Sequence, residues 1–251
     1  QVHPLETTSH RQRIQSTPQF QAFQTSYTRN MISLKEDFDL IIAGQVDGAC
    51  DHLLSEAASL FASKTSLELF DMIHTMRSVD DSVYAHSLNV ALISRAIGKW
   101  MQFSKEDLNT LTLAGLLHDI GKTQIPSEIL NKQGKLTDEE FDIIRSHAKL
   151  GHKILKDTDL DLRIKLAALQ HHERYDGSGY PRGLESDEID TFASIVAIAD
   201  VYDAMTAARS YRAPKCAFQV IAAFEDDGFQ KYNPKVIFTF LQRVAACYNN
   251  S

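Results

Sequence analysis

Apolar residues recur every three or four positions over most of the chain. Phe38, Ile41 and Ile42 form one set, Leu53, Leu54, Ala57 and Leu60 a second, and Leu67, Phe70, Ile73 and Met76 a third. That period predicts amphipathic helices, each with one face to bury. The stretch before them, residues 1–24, is rich in Gln, Thr and Ser and has no clear period. It reads as a tail or linker that turns helical near its end, followed by an N-terminal helical segment over 25–77. Beyond it the helices continue. Ser104-Lys105-Glu106-Asp107 is a capping-box variant that predicts a helix through Leu117, and Thr137 to Glu140 opens another that runs past His147. Further helices are expected from Asp161 to Glu173 and from about Ile189 to Ala208. Pro234, after Asn233, suits the first turn of the last one. Alternating strand patterns are nearly absent. The expected fold class is all-α, a helical bundle over 78–251 with an N-terminal helical attachment.

Length and composition fit an ordinary globular core: 251 residues, 43% hydrophobic. The formal net charge of −7 changes the picture for partners. The surface as a whole repels nucleic acid, so no nucleic-acid polymer is expected, and an anionic ligand would need local positive charge. Cys50, Cys216 and Cys247 are scattered and form no CxxC pair, so neither a disulfide framework nor a cysteine zinc site is expected. The expected compartment is the reducing cytoplasm, with no membrane span and no signal peptide.

Histidines and aspartates fall in apolar helical stretches. His86 lies within VYAHSLNVALI, His118 and Asp119 end TLTLAGLLHD, and His147 lies in IIRSHAKLG. His171 and His172 end LAALQHH, and Asp200 lies in SIVAIADVYDAM. Burying a carboxylate in such a helix is costly unless it is paired or bound to a cation. A lone histidine of this kind is more often structural than a ligand. The joint pattern is different, because so many helices each end or centre on an imidazole or carboxylate. Imidazole and carboxylate without thiolate suit divalent Fe or Mn. The ligands exceed one tetrahedral site, so two divalent metal ions are expected. Such a pair can share a bridging carboxylate and suits in-line attack on a phosphorus ester. His171 and His172 are adjacent and point to different faces of a helix, so a single apolar pocket does not explain both.

Other signals stay structural. His3, His10, His52, His74 and His152 are not expected to be ligands. Gly121-Lys122-Thr123 imitates the end of a phosphate-binding loop, but Leu116 stands where the first glycine is needed, and a helix precedes it instead of a strand.

The motifs HDIGK and HHERYDGSGYP, followed by ADVYDAMT, resemble the HD-GYP branch of the HD phosphohydrolase superfamily over about Ser78 to Tyr232. The resemblance implies an all-helical, metal-dependent phosphodiesterase that linearises or fully cleaves cyclic di-GMP, with cyclic GMP-AMP preferred by some members. It implies His86, His118, Asp119, His147, His171, His172 and Asp200 as metal ligands, with Asp119 bridging. It places Lys122 near the scissile phosphate, and Asp80, Gly179, Tyr180, Arg209 and Arg212 at the substrate. Some members hold a third metal through a Glu four residues before the first histidine; Ser82 stands there, which implies two metals. Ala148, Ala208 and Ser210 depart from the usual residues around the third and last motifs.

The competing readings are a non-catalytic sensor that binds the dinucleotide or a protein, and an HD phosphohydrolase for a linear nucleotide. The intact ligand set argues against the first, and the GYP string against the second. Residues 25–77 carry no evident chemistry and are read as the place where a homodimer or a signalling partner would form its contact.

Overall fold

Side-chain caps set several of the helix starts. Thr17 Oγ1 accepts Phe20 N at 3.2 Å ahead of Pro18, and Ser104 Oγ accepts Asp107 N at 3.1 Å. Thr137 and Glu140 form a reciprocal capping box, the hydroxyl taking Glu140 N and the carboxylate taking Thr137 N. A computed structural model of the chain describes residues 10–61, 65–76, 82–206 and 217–249. The α-helices are α1 (His10–Gln15), α2 (Pro18–Ile42), α3 (Val46–Phe61), α4 (Ser66–Met76), α5 (Val83–Trp100), α6 (Lys105–Leu117) and α7 (Ser127–Leu130). They continue with α8 (Asp138–Arg145), α9 (His147–Leu155), α10 (Leu162–Gln170), α11 (Thr191–Thr206), α12 (Ala217–Asp227) and α13 (Pro234–Asn249). Short 3-10 turns cover Ile120–Gln124, Ser186–Glu188 and Phe229–Lys231. Among the described residues there is no strand, only an isolated bridge between Asp176 and Glu185. The all-α expectation holds.

The tail expected to turn helical near its end enters α2 at Pro18, and Phe20 and Phe23 are buried. These two aromatics repeat at three residues, but the surrounding Gln, Thr and Ser mask them in a window average. Burying each contributes roughly 1.5–3 kcal/mol, enough to fix the segment. The helix expected to run past His147 is broken: α8 stops at Arg145 and α9 begins at His147.

The centre of the molecule is α5, packed against α6 and α11, with α10 bridging α6, α9 and α11. The N-terminal helices share one hydrophobic cluster with this group, from Phe20 to Val244. They also hydrogen-bond beside residues of interest. Tyr27 Oη lies 3.1 Å from Ala85 O and 2.7 Å from Asn89 Oδ1, and His74 Nε2 lies 2.9 Å from Tyr202 Oη. Tyr27→Phe strips the hydroxyl from a fully buried site and leaves Asn89 Oδ1 without that donor. It is expected to lower stability by about 1–3 kcal/mol, read from chemical unfolding, where an unchanged midpoint would contradict the assigned bond.

Candidate metal centre

The imidazoles are oriented by the ends of their own helices. A helix leaves its last carbonyls without intrahelical donors. His118 caps the C-terminus of α6, and its Nδ1 lies 2.7 Å from Gly115 O. His171 caps α10, with Nδ1 2.9 Å from Ala167 O. His147 sits at the break between α8 and α9, with Nδ1 2.7 Å from Ile144 O. Carbonyls only accept, so each Nδ1 carries the proton and each Nε2 keeps a lone pair. The fourth imidazole uses a side chain instead: His86 Nδ1 lies 2.7 Å from Asp203 Oδ2.

All four Nε2 atoms turn towards Asp119, which is 1% exposed. Its two oxygens face different pairs. Asp119 Oδ2 lies 3.2 Å from His118 Nε2 and 3.6 Å from His86 Nε2, while Oδ1 lies 3.3 Å from His147 Nε2 and 3.7 Å from His171 Nε2. Asp200 Oδ1 approaches His86 Nε2 at 3.1 Å. The histidines, with Asp119 in both, make two overlapping groups: His86, His118 and Asp119, and Asp119, His147, His171 and His172.

This donor set fits divalent cations. His118 Nε2 and Asp119 Oδ1 are buried with no hydrogen-bond partner among the described residues. His147 Nε2 and His171 Nε2 lie 3.2 Å apart although both Nδ1 protons are already committed to carbonyls. Lone pairs aimed at one another and at a carboxylate repel unless something positive lies between them. The helix C-termini of α6 and α10 add negative potential at the same place.

The electrostatics agree for the carboxylates and for His147, His171 and His172. Burial pushes the Asp119 carboxyl up, but His118 and Lys122 outweigh it and hold it well below the usual carboxylate range. Lys122 Nζ lies 2.5 Å from Asp119 Oδ2. Asp200 is likewise held low, its burial offset by the bond from His86. Burial lowers His86 too, but the bonds to Asp200 and Asp203 raise it to about 10, so His86 would release its Nε2 proton on binding a cation. Burial takes His147 down to about 4 and lowers His171 and His172, so these imidazoles are neutral at pH 7, the form that binds metal.

The loop after the histidine pair is tied to the same place. Glu173 is 3% exposed, and its carboxylate accepts Arg182 N at 2.7 Å and Leu184 N at 3.0 Å. Gly177 makes the turn at φ 76°. Gly179 serves close approach: a Cβ there would stand 2.3 Å from Arg174 N. The loop lays Tyr180 flat on His172, ring centroids 4.7 Å apart and 22° between planes, with the Arg145 guanidinium 4.5 Å above the tyrosine ring. Gly121 has the same kind of role in HDIGK, since a Cβ would meet His147 O at 2.0 Å. Glu173→Gln turns one acceptor into a donor and strands one backbone N–H. It is expected to cost about 1–3 kcal/mol and to speed proteolysis within 174–184, and unchanged cleavage kinetics would contradict the tether.

The structure thus brings together every histidine and aspartate expected as a ligand. His171 and His172 both lie in the group with Asp119 and His147. Ser82 is spent on the backbone: its Oγ accepts Ala85 N at 3.2 Å as the N-cap of α5. Asp80, Arg209 and Arg212 lie outside the described residues. His52 pairs with Asp37 and His74 with Tyr202, away from the cluster. Two residues escaped the sequence reading. Asp203 could have been found as a second carboxylate three residues after Asp200 in an apolar helix. The role of Glu173 carried no local signal. Among the described residues no helix is long and apolar enough to cross a membrane.

The HD domain family model matches residues 50–236. A cyclic di-GMP phosphodiesterase of Thermotoga maritima is 39% identical over 70% of this chain and 48% of its own length. A 3'3'-cGAMP-specific phosphodiesterase of Vibrio cholerae, the second of that name, is 34% identical over 71% of this chain and 35% of its own. The chain spans about half the length of the curated relatives it matches, or less. Among solved structures, the HDG"Y"P protein Bd1817 of Bdellovibrio bacteriovorus superposes with a TM-score of 0.70 at 17% identity, covering 97% of this chain and 75% of that one, a likeness of fold.

Proposed function

We propose, from the premise that the chain belongs to the HD domain family, that it is a divalent-metal-dependent phosphodiesterase for a cyclic dinucleotide, cyclic di-GMP foremost. The observation that carries this reading is the pair of Asp119 oxygens, each facing its own pair of Nε2 atoms. A carboxylate so divided suits two metal ions, and oxygen and nitrogen donors without thiolate favour Fe or Mn. His86, His118, Asp119, His147, His171, His172 and Asp200 would hold them. When bound, such ions polarise a phosphoryl oxygen and make water acidic enough to act as a nucleophile at neutral pH.

The rest is done by the chain. Backbone carbonyls fix the tautomers of His118, His147 and His171, so those Nε2 lone pairs need no reorganisation, and Asp203 holds the His86 ring by its Nδ1. Lys122 is partly exposed at the edge of a cleft of about 810 Å³ that also exposes His86, His172 and Asp200. It supplies positive charge where phosphoryl oxygens gain negative charge. Tyr180 and Gly179 shape the wall beside His172, and Asp80, Arg209 and Arg212 are assigned to the substrate. Residues 78–251 carry the chemistry, and 25–77 brace α5 and α11 and offer the contact for a second copy or a signalling partner.

A second reading, a 3'3'-cGAMP phosphodiesterase, has the relative of that name in its favour. Anaerobically purified chain loaded with Mn or Fe(II) and given each dinucleotide separates them. The expected result is conversion of cyclic di-GMP to pGpG or GMP, faster than cleavage of cyclic GMP-AMP. Binding without turnover of either at full metal loading would make the chain a sensor.

A further inference from the structure

We propose that Lys135, on the loop between α7 and α8, is a substrate-binding residue that takes the second phosphate of a two-phosphate cyclic substrate while the first lies at the metal-facing residues. This deepens the reading above and rests on it.

The cleft over His86, His172 and Asp200 is walled on its far side by the loop from Ile129 to Leu136. Its near side is acidic, with Asp200 and Asp203, on a chain of net charge −7. A cyclic dinucleotide brings two phosphodiester charges on opposite sides of one ring. Anchoring one leaves the other across the cleft, where it needs a cation of its own. Among the described residues, Lys122, Lys132 and Lys135 line the cleft. Two of them are already paired. Lys122 Nζ sits on Asp119, and Lys132 Nζ lies 2.8 and 2.6 Å from the two oxygens of Glu140. Lys135 makes no side-chain hydrogen bond or ion pair to another described residue.

The loop is also held in place before any ligand arrives. Glu140 accepts Lys132 Nζ on one side and Thr137 N on the other, so one buttressed carboxylate clamps both ends of the short span that carries Lys135. Gly134, at φ 120°, makes the turn between them. Presenting a lysine from an anchored turn reduces the ordering cost of the contact.

The test compares wild type with Lys135→Ala and Lys135→Arg on cyclic di-GMP and on bis(p-nitrophenyl) phosphate, which has one phosphodiester and no second phosphate. A charged hydrogen bond at the cleft rim is worth about tenfold in affinity. Lys135→Ala is therefore expected to lower the ratio of kcat/KM for cyclic di-GMP to that for bis(p-nitrophenyl) phosphate by about tenfold, through KM, at wild-type metal content. Lys135→Arg restores most of the ratio. An unchanged ratio in Lys135→Ala, with wild type active on the dinucleotide, overturns the inference alone. Wild type that cleaves bis(p-nitrophenyl) phosphate and no cyclic dinucleotide overturns the substrate reading and this assignment with it.

Discussion

Asp119→Asn is expected to lower phosphodiester turnover by more than about 100-fold and to lower bound metal with it, while the chain stays folded. Losing a group that merely orients a ligand costs about 10–100-fold, and Asp119 stands directly between both ligand groups. Asparagine keeps the shape but offers one acceptor. Its amide nitrogen must face either His118 and His86 or His147 and His171, and it presents N–H where a cation would need a lone pair. Lys122 loses its partner, but it is 22% exposed and can turn to the cleft. Asp119→Ala removes both oxygens and is expected to lose more metal still. Elemental analysis beside the turnover assay decides it, and full metal content with full turnover in either variant would overturn the ligand assignment.

Asp203→Ala is the second large effect, expected at about 10–100-fold in metal affinity or turnover. Asp203 is 3% exposed and accepts the Nδ1 proton of His86 at 2.7 Å, which leaves Nε2 as the atom that would ligate. Without it, His86 has no fixed tautomer and no fixed ring plane. Asp203→Asn retains an amide oxygen for the same proton and should lie between alanine and wild type. The metal-binding isotherm separates this from a structural role, because a fold defect would not rank the two variants by their ability to accept a proton. Equal, wild-type affinity in both would remove Asp203 from the account.

What could be read without coordinates follows from where polar groups sit. His118, Asp119 and Asp200 stood out because each interrupts an apolar run, where an unpaired charge is costly. Ser104 and Thr137 stood out because caps are local, and both cap their helices in the structure. The partners that aim the imidazoles could not be read. Gly115, Ile144 and Ala167 act through backbone carbonyls, which every residue has, and only the folded helix ends bring the rings onto them. The break at Ser146 was hidden for a related reason. The sequence from Thr137 keeps helical periodicity through His147, and no Gly or Pro marks the stop. Phe20 and Phe23 were diluted by polar neighbours, so their burial in α2 could not be read. Glu173 was visible within HHE, yet its two backbone donors come from residues that only the folded loop returns to it.

The central claim, metal-dependent hydrolysis of a cyclic dinucleotide at the Asp119 centre, is tested most directly by stripping the chain with a chelator and restoring metal stepwise. Turnover of cyclic di-GMP is expected to vanish in the stripped chain. It should return with added Mn or Fe(II) in proportion to the metal bound, with helical content constant throughout. Hydrolysis that persists at zero bound metal, or none at full loading, would contradict the account.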